Sequence, residues 1–331
     1  MTVPAFPHRP SIAVIDDWQD VARTCTDWSG LETRADIRFY QEPFTSEDAV
    51  VAALGDCDGI LAMRERTSFT ESLLDRLPRL KFFNMTGRRA RGLDAMAARG
   101  ITVTITGGGE HGEDTAEHTL ALILSSARHI PEADRRIRDG GFQAGVQPGM
   151  RLVGKTLGLL GFGVIGRRVA TYARAFGMDV IAWSRSLTPG SSPADGVRAV
   201  AFEDLFSRSD ILSVHLVLSP QTRGLVGAGE IGAMKPGALL VNTSRAPIVE
   251  EAPLLDALRD GRIRAALDVY PEEPIPGDHP LRRLPGTVLT PHLGYCTWEN
   301  YADFYRASVE NAIAFLDGAP IRAYAPELHN V

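Results

Sequence analysis

The chain has 331 residues, 44% apolar and 23% charged, with 35 Lys and Arg against 41 Asp and Glu for a net charge of −6. That length can bury two cores, and the mildly acidic balance excludes a nucleic-acid footprint. No apolar run reaches the roughly 18 residues a membrane span needs, and three scattered cysteines, Cys25, Cys57 and Cys296, fit neither a disulfide framework nor a metal site. The opening MTVPAFPHRP has no apolar signal-peptide core, so the expected setting is the reducing cytoplasm, with no membrane, nucleic-acid or metal partner.

Short apolar runs open the chain: SIAVID (11–16), DIRFY (36–40), GILAM (59–63), LKFFNM (80–85) and ITVTI (101–105). Helix candidates lie between them near 45–54, 70–77 and 92–99. This alternation predicts a parallel sheet flanked by helices. A long amphipathic segment at 114–130 breaks the rhythm, opening on an Asp that can cap it and ending before Pro131. A Gly- and Pro-rich loop follows over 140–149. The rhythm restarts at 155–183 and continues through strands at 211–218, 238–242, 263–269 and 287–290, and a helix over roughly 298–317 comes last. The fold class is α/β, with two Rossmann-like, doubly wound parallel-sheet domains.

The stretch GFGVIG, Gly161-Phe162-Gly163-Val164-Ile165-Gly166, is a G-x-G-x-x-G motif between a strand-like TLGLL and a helical VIGRRVATYARAF. In that context it signals a dinucleotide site. Gly161 permits the tight turn, Gly163 lets backbone approach a pyrophosphate, and Gly166 lets the helix pack on the strand. The helix N-terminus offers N–H groups to phosphate. At the end of the next strand, an Asp would bind a ribose hydroxyl. Here Ser184-Arg185-Ser186 stands instead, which suits a 2′-phosphate and favours NADPH (NADP) over NADH (NAD). The alternative is a solvated surface charge at Arg185.

Ligands of open α/β sheets bind beyond the carboxyl ends of the strands. Three polar residues follow such ends: Arg245 after ALLVN, Glu273 after AALDVY, and His292 after TVLT. An Arg can hold a carboxylate with two parallel hydrogen bonds. A His can pass a proton near neutral pH, and a carboxylate beside it fixes its tautomer. With a nicotinamide nearby, these parts suit hydride transfer to or from a carbonyl carbon.

GLLGFGVIG, LVNTSRAPIV, LDVYPEEP and VLTPHLGY resemble, in order and spacing, the signature blocks of the D-isomer-specific 2-hydroxyacid dehydrogenase family over about residues 10–320. The resemblance implies a catalytic triad of Arg245, Glu273 and His292, with Glu273 rather than Glu272 against the imidazole. It implies a substrate-binding, flavodoxin-like domain of residues 1–105 and 291–331, interrupted by a cofactor domain of 106–290, and a homodimer formed through the latter. It adds cofactor contacts from Thr115, His215, Thr222, Thr243 and Asp268. NMTGRRARGLD (84–94) is similar to the family's substrate-carboxylate loop, which implies that backbone around Thr86, Gly87 and Arg88 receives the carboxylate. Arg64 and Arg66 fall near a second substrate loop.

Departures from the family pattern bear on the substrate. Arg88-Arg89 follows Gly87, and with Arg64 and Arg66 this makes four arginines, suited to a dianionic substrate unless they face solvent or pair with Glu65 and Asp94. Ala246 replaces a usual Gly and would resist a left-handed backbone. Tyr295 and Trp298 are candidates for a substrate wall. The expected substrates are 2-oxo or 2-hydroxy acids such as hydroxypyruvate, glyoxylate or phosphohydroxypyruvate. No further regulatory domain is expected after the last helix. Alternatives are a relative acting on phosphite and a non-catalytic, cofactor-sensing protein like the family's co-repressors. The Glu at 273 argues against the formate-oxidising type, which carries Gln there.

Overall fold

The computed structural model describes residues 6–87, 92–107 and 112–325. The chain divides into two compact units, one of Met1–Glu110 with Cys296–Val331 and one of His111–Tyr295. The first holds strands β1 (Ser11–Ile15), β2 (Asp36–Phe39), β3 (Gly59–Ala62), β4 (Phe82–Met85) and β5 (Thr102–Ile105). All pair in parallel, in the order β2-β1-β3-β4-β5. That is the flavodoxin-like order. The inner strands β1, β3 and β4 are covered on both faces and read as nearly continuous apolar runs, whereas the edge strand β2, Asp-Ile-Arg-Phe, is partly exposed. The one polar residue inside β4, Asn84, is fully buried and satisfied: it donates to Ser308 Oγ and accepts from Thr104 Oγ1 and Asn311 Nδ2. Ser308 and Asn311 lie on the closing helix, Trp298–Leu316, whose N-terminus is capped by Thr297 and whose Phe315 stacks on Phe82.

The second unit holds β6 (Thr156–Leu160), β7 (Asp179–Trp183), β8 (Val197–Ala199), β9 (Ile211–Val214), β10 (Leu239–Asn242), β11 (Arg264–Leu267) and β12 (Thr287–Leu289). Their order is β12-β11-β10-β9-β6-β7-β8, again all parallel. The strand order reverses between β6 and β9, so the carboxyl ends of those two strands are the topological switch point at which such sheets bind ligands. Two apolar clusters, built around Leu212, Leu240 and Leu254 and around Leu157, Val169 and Ile123, form its core.

The units divide after residues 110 and 295, where the sequence reading drew its boundaries after 105 and 290. The turn through Pro291–Tyr295 therefore goes with the second unit. The Asp268 carboxylate binds it there, accepting the N–H groups of Leu293 and Gly294 at 2.8 Å each. The long helix also differs from expectation. It runs Glu113–Ala127, and a second helix, Ile130–Arg138, begins at once with Pro131 in its first turn. Proline is well placed there because the first helical N–H groups have no intrahelical acceptor, so Pro131 starts a helix as well as following one. The strand expected over 211–218 stops at Val214, which leaves His215 beyond its end. No helix among the described residues is long and apolar enough to cross a membrane.

Candidate active site

The glycine loop sits at the switch point. Gly161 has φ +104°, and a Cβ there would stand 2.7 Å from the carbonyl carbon and oxygen of His215. A Cβ on Gly166 would stand 2.5 Å from the Gly161 oxygen. Both glycines are thus required by close backbone packing. Gly163 differs: its missing Cβ faces open space, and it is the N-cap of the helix Val164–Ala175 with no side chain capping the N–H groups. Open room before uncapped donors is what an anionic pyrophosphate needs. Phe162 and Ile165 serve packing: the Arg167 guanidinium lies 4.5 Å over the Phe162 ring, and Ile165 backs onto Gly112. Val164 is exposed.

At the carboxyl ends of β11 and β12 the structure brings Glu273 and His292 together. Glu273 Oε2 lies 2.6 Å from His292 Nδ1, while Oε1 accepts the Tyr270 N–H at 2.9 Å. Glu273, not Glu272, reaches the imidazole. With a carboxylate acceptor on Nδ1, that nitrogen carries a hydrogen and proton exchange falls to Nε2. The His292 backbone is left-handed, φ +56°, and the Tyr295 ring meets the imidazole edge-on at 5.9 Å. Arg245 follows β10. Its carbonyl accepts from Asn242 Nδ2, and its Nη1 donates to the Ser244 oxygen at 2.8 Å. Ala246 opens a 3-10 turn, Ala246–Ile248, and is not left-handed. The alanine is therefore accommodated without the strain anticipated from the sequence.

Asp268 is fully buried and takes four donors. Oδ1 accepts from Thr290 Oγ1 at 2.6 Å, Leu293 N at 2.8 Å and His118 Nε2 at 3.2 Å, and Oδ2 accepts from Gly294 N. Burial alone would raise its pKa, but these hydrogen bonds, led by those from His118 and Thr290, hold the carboxyl below the usual range. His118 did not emerge from the sequence. The available signal was its place on an amphipathic helix four residues before buried Leu122, a polar group turned towards a core.

The remaining expected cofactor residues lie in this unit. Thr119 Oγ1 donates to the Thr115 oxygen, which leaves Thr243 Oγ1 to donate to Thr119 Oγ1 at 2.9 Å. Thr222 is folded into its own loop, accepting the Ser219 N–H and donating to the Val217 oxygen. His215, at the end of β9, pairs with Ser213 Oγ, and burial depresses its pKa to about 4. Beyond β7, Ser184 and Ser186 hydroxyls meet at 3.2 Å, and Arg185 is exposed.

The expected substrate residues of the first unit cluster at the ends of β3 and β4. Arg64 N donates to Thr86 Oγ1 at 2.8 Å, and an Arg64 guanidinium nitrogen lies 3.0 Å from where a Cβ on Gly87 would stand. The Gly87 N–H is already donated to the Gly107 oxygen at 2.9 Å. Within this unit the Gly87 N–H is thus paired with backbone, and the rest of the expected carboxylate loop, from Arg88 on, lies outside the described residues. Arg64 Nε lies 3.7 Å from Glu65. Arg66 donates to the Asp16 carbonyl and stacks 4.4 Å over the Trp18 ring. Arg88 and Arg89 lie outside the described residues.

A doubly wound sheet with a glycine loop at its switch point defines a dinucleotide-binding α/β protein. Residues 120–294 match the family model for the D-isomer specific 2-hydroxyacid dehydrogenase, NAD binding domain. A glyoxylate reductase of Aeropyrum pernix is 42% identical over 256 residues, 74% of this chain and 76% of the relative. A D-3-phosphoglycerate dehydrogenase of Archaeoglobus fulgidus is 35% identical over 265 residues, 79% of this chain, and the chain spans only about half the length of that relative, 50%. The crystal structure of a phosphoglycerate oxidoreductase from Vibrio cholerae O395 superposes with a TM-score of 0.87 at 34% identity, covering 94% of this chain and 100% of the other. The chain belongs to the D-isomer-specific 2-hydroxyacid dehydrogenase family.

Proposed function

We propose that the protein is an oxidoreductase interconverting a 2-oxo acid and the corresponding D-2-hydroxy acid, of the hydroxypyruvate, glyoxylate or phosphohydroxypyruvate kind. The observation that carries this reading is the 2.6 Å contact between Glu273 and His292, beyond the carboxyl ends of the same parallel sheet whose β6 leads into the glycine loop. A bound nicotinamide dinucleotide supplies or accepts the hydride. The residues that would hold it are Gly161–Gly166, with the uncapped helix N-terminus for the pyrophosphate and Ser184-Arg185-Ser186 for the adenosine ribose. Exposed Arg185, with no acidic residue at this position, supports NADPH over NADH.

His292 is the acid–base group: Nε2 gives a proton to the substrate oxygen in reduction and removes it in oxidation. Glu273 fixes the ring and its tautomer. Arg245 holds the substrate carboxylate through paired N–H donors and polarises the adjacent carbonyl. Arg64, Arg66, Thr86 and Tyr295 are the further substrate contacts, and the arginines favour an acid carrying a second negative charge. The homodimer contact is through the second unit, where Ile130, Ile137, Phe142 and Val153 are exposed large apolar residues. Cys25, Cys57 and Cys296 form no disulfide, in keeping with action in the cytoplasm.

The test is cofactor oxidation followed optically, with NADH and NADPH separately, against 2-oxo acids from glyoxylate to phosphohydroxypyruvate and aromatic acids. Turnover is expected, with the higher kcat/KM for NADPH. His292→Ala should abolish reduction while cofactor binding persists. Wild-type turnover by that variant would remove the proton-transfer role, and tight cofactor binding without turnover across the panel would favour a sensor.

A further inference from the structure

The proton-transfer residue sits in an uncommon backbone conformation. His292 has φ +56°, a region that side-chain-bearing residues occupy only where their surroundings over-determine it. Its own N–H reaches back to the Thr290 oxygen at 3.1 Å, and Tyr270 Oη donates to the same oxygen at 3.0 Å. The following two N–H groups, Leu293 and Gly294, are taken by the two oxygens of Asp268. The preceding side chain, Thr290, donates to Oδ1 as well. One buried carboxylate thus grips the turn on both sides of His292. It is seated closely: a Cβ on Gly294 would stand 3.0 Å from Asp268 Oδ2.

Asp268 is in turn tied to a different element. His118, on the fifteen-residue helix Glu113–Ala127, reaches Oδ1 at 3.2 Å and Thr290 Oγ1 at 3.0 Å with the same nitrogen, Nε2. An ionised carboxylate only accepts, and Thr290 spends its proton on Asp268. His118 Nε2 therefore carries a hydrogen shared between the two oxygens. We propose that His118 and Asp268 are positioning residues for the reaction. Through the turn at 290–294 they hold the His292 imidazole on Glu273, so that Nε2 keeps a fixed place relative to the substrate oxygen. Neither side chain needs to touch substrate to do this.

The inference rests on the acid–base role proposed for His292, and its test separates the two. Steady-state reduction of the best 2-oxo acid is measured for wild type, His118→Ala and His118→Gln. Amide hydrogen exchange at Leu293 and Gly294 is followed in the same proteins. His118→Ala should lower kcat roughly tenfold to a hundredfold, the loss expected when a reacting group is displaced by about 1 Å. KM should change less than threefold, because the substrate anchors lie elsewhere. Exchange at both amides should quicken, and His118→Gln, whose side-chain amide keeps an N–H donor, should recover most of kcat. Wild-type kcat in His118→Ala, with or without faster exchange, would overturn the inference and leave the His292 role standing. Equal losses in His118→Ala and His118→Gln would mean that the ring's packing matters and its hydrogen bond does not, which also overturns it. If wild type reduced no 2-oxo acid, the parent reading would fall, and the positioning role with it.

Discussion

Glu273→Gln tests the orienting role proposed for the carboxylate, with almost no change of shape. Glu273 has two acceptor oxygens for two N–H donors, Tyr270 N and His292 Nδ1. Glutamine has one acceptor oxygen. If that oxygen stays on Tyr270, the amide NH2 faces Nδ1, and the imidazole must turn to its other tautomer or lose the contact. If it turns to His292, the Tyr270 N–H is left facing another donor. Either way one charge-assisted hydrogen bond is lost, worth about 1.5–3 kcal/mol net. The two side chains are 26% and 30% exposed, so solvent screening favours the lower end, about 1.5 kcal/mol. That corresponds to roughly a tenfold fall in kcat/KM, since about 1.4 kcal/mol is tenfold in rate. The assay is kcat/KM for reduction and for oxidation, with urea unfolding run alongside to show that stability is unchanged. Values within twofold of wild type in both directions would refute an orienting role for Glu273. A fall matched by a collapse in stability would assign Glu273 to the fold and remove it from the chemistry.

The first and middle glycines of the loop should separate stability from binding. Gly161→Ala places a Cβ 2.7 Å from His215 backbone at φ +104°, and should cost about 2–4 kcal/mol, lowering the unfolding temperature by several degrees. Gly163→Ala meets nothing within 4 Å and should leave the melting temperature within about a degree, while cofactor affinity by titration falls at least tenfold. The reverse pattern would contradict the assignment of the pyrophosphate to Gly163. Asp268 makes acid stability testable. Its folded pKa lies below the ordinary 3.8, so its contribution is fully present above that value and is lost as pH falls through the folded pKa. Urea unfolding of wild type and Asp268→Asn should therefore differ most at pH 5–7 and converge below about pH 4. A gap that widened on acidification would show that the carboxylate is not ionised in the fold.

The class of fold was legible because parallel strands covered on both faces must be apolar throughout, and GILA, TLGLL and RAAL are nearly so. Some elements without that signature were missed. β8, Val-Arg-Ala at a sheet edge, is too short and too polar to register. Pro131 signals both the end of one helix and the first turn of another, and local sequence does not say which. At the site, Glu273 and His292 were readable because each follows a strand whose end can be seen in the sequence.

What could not be read is where buried hydrogen bonds go. His118 and Asp268 lie 150 positions apart and meet only because the Glu113–Ala127 helix packs against β11 and β12. Gly87 shows the same limit, since its N–H donates to the Gly107 oxygen, a partner that the sequence does not name. Buried backbone N–H groups nearly always have a partner, but residue names do not record which partner each takes. The sequence therefore marks the groups that can do the chemistry, whereas the groups that aim them are backbone donors and their acceptors, which only the folded chain identifies. Asp268, at the crossing of several such bonds, is accordingly a residue whose substitution should lower the rate by loosening the turn that carries His292.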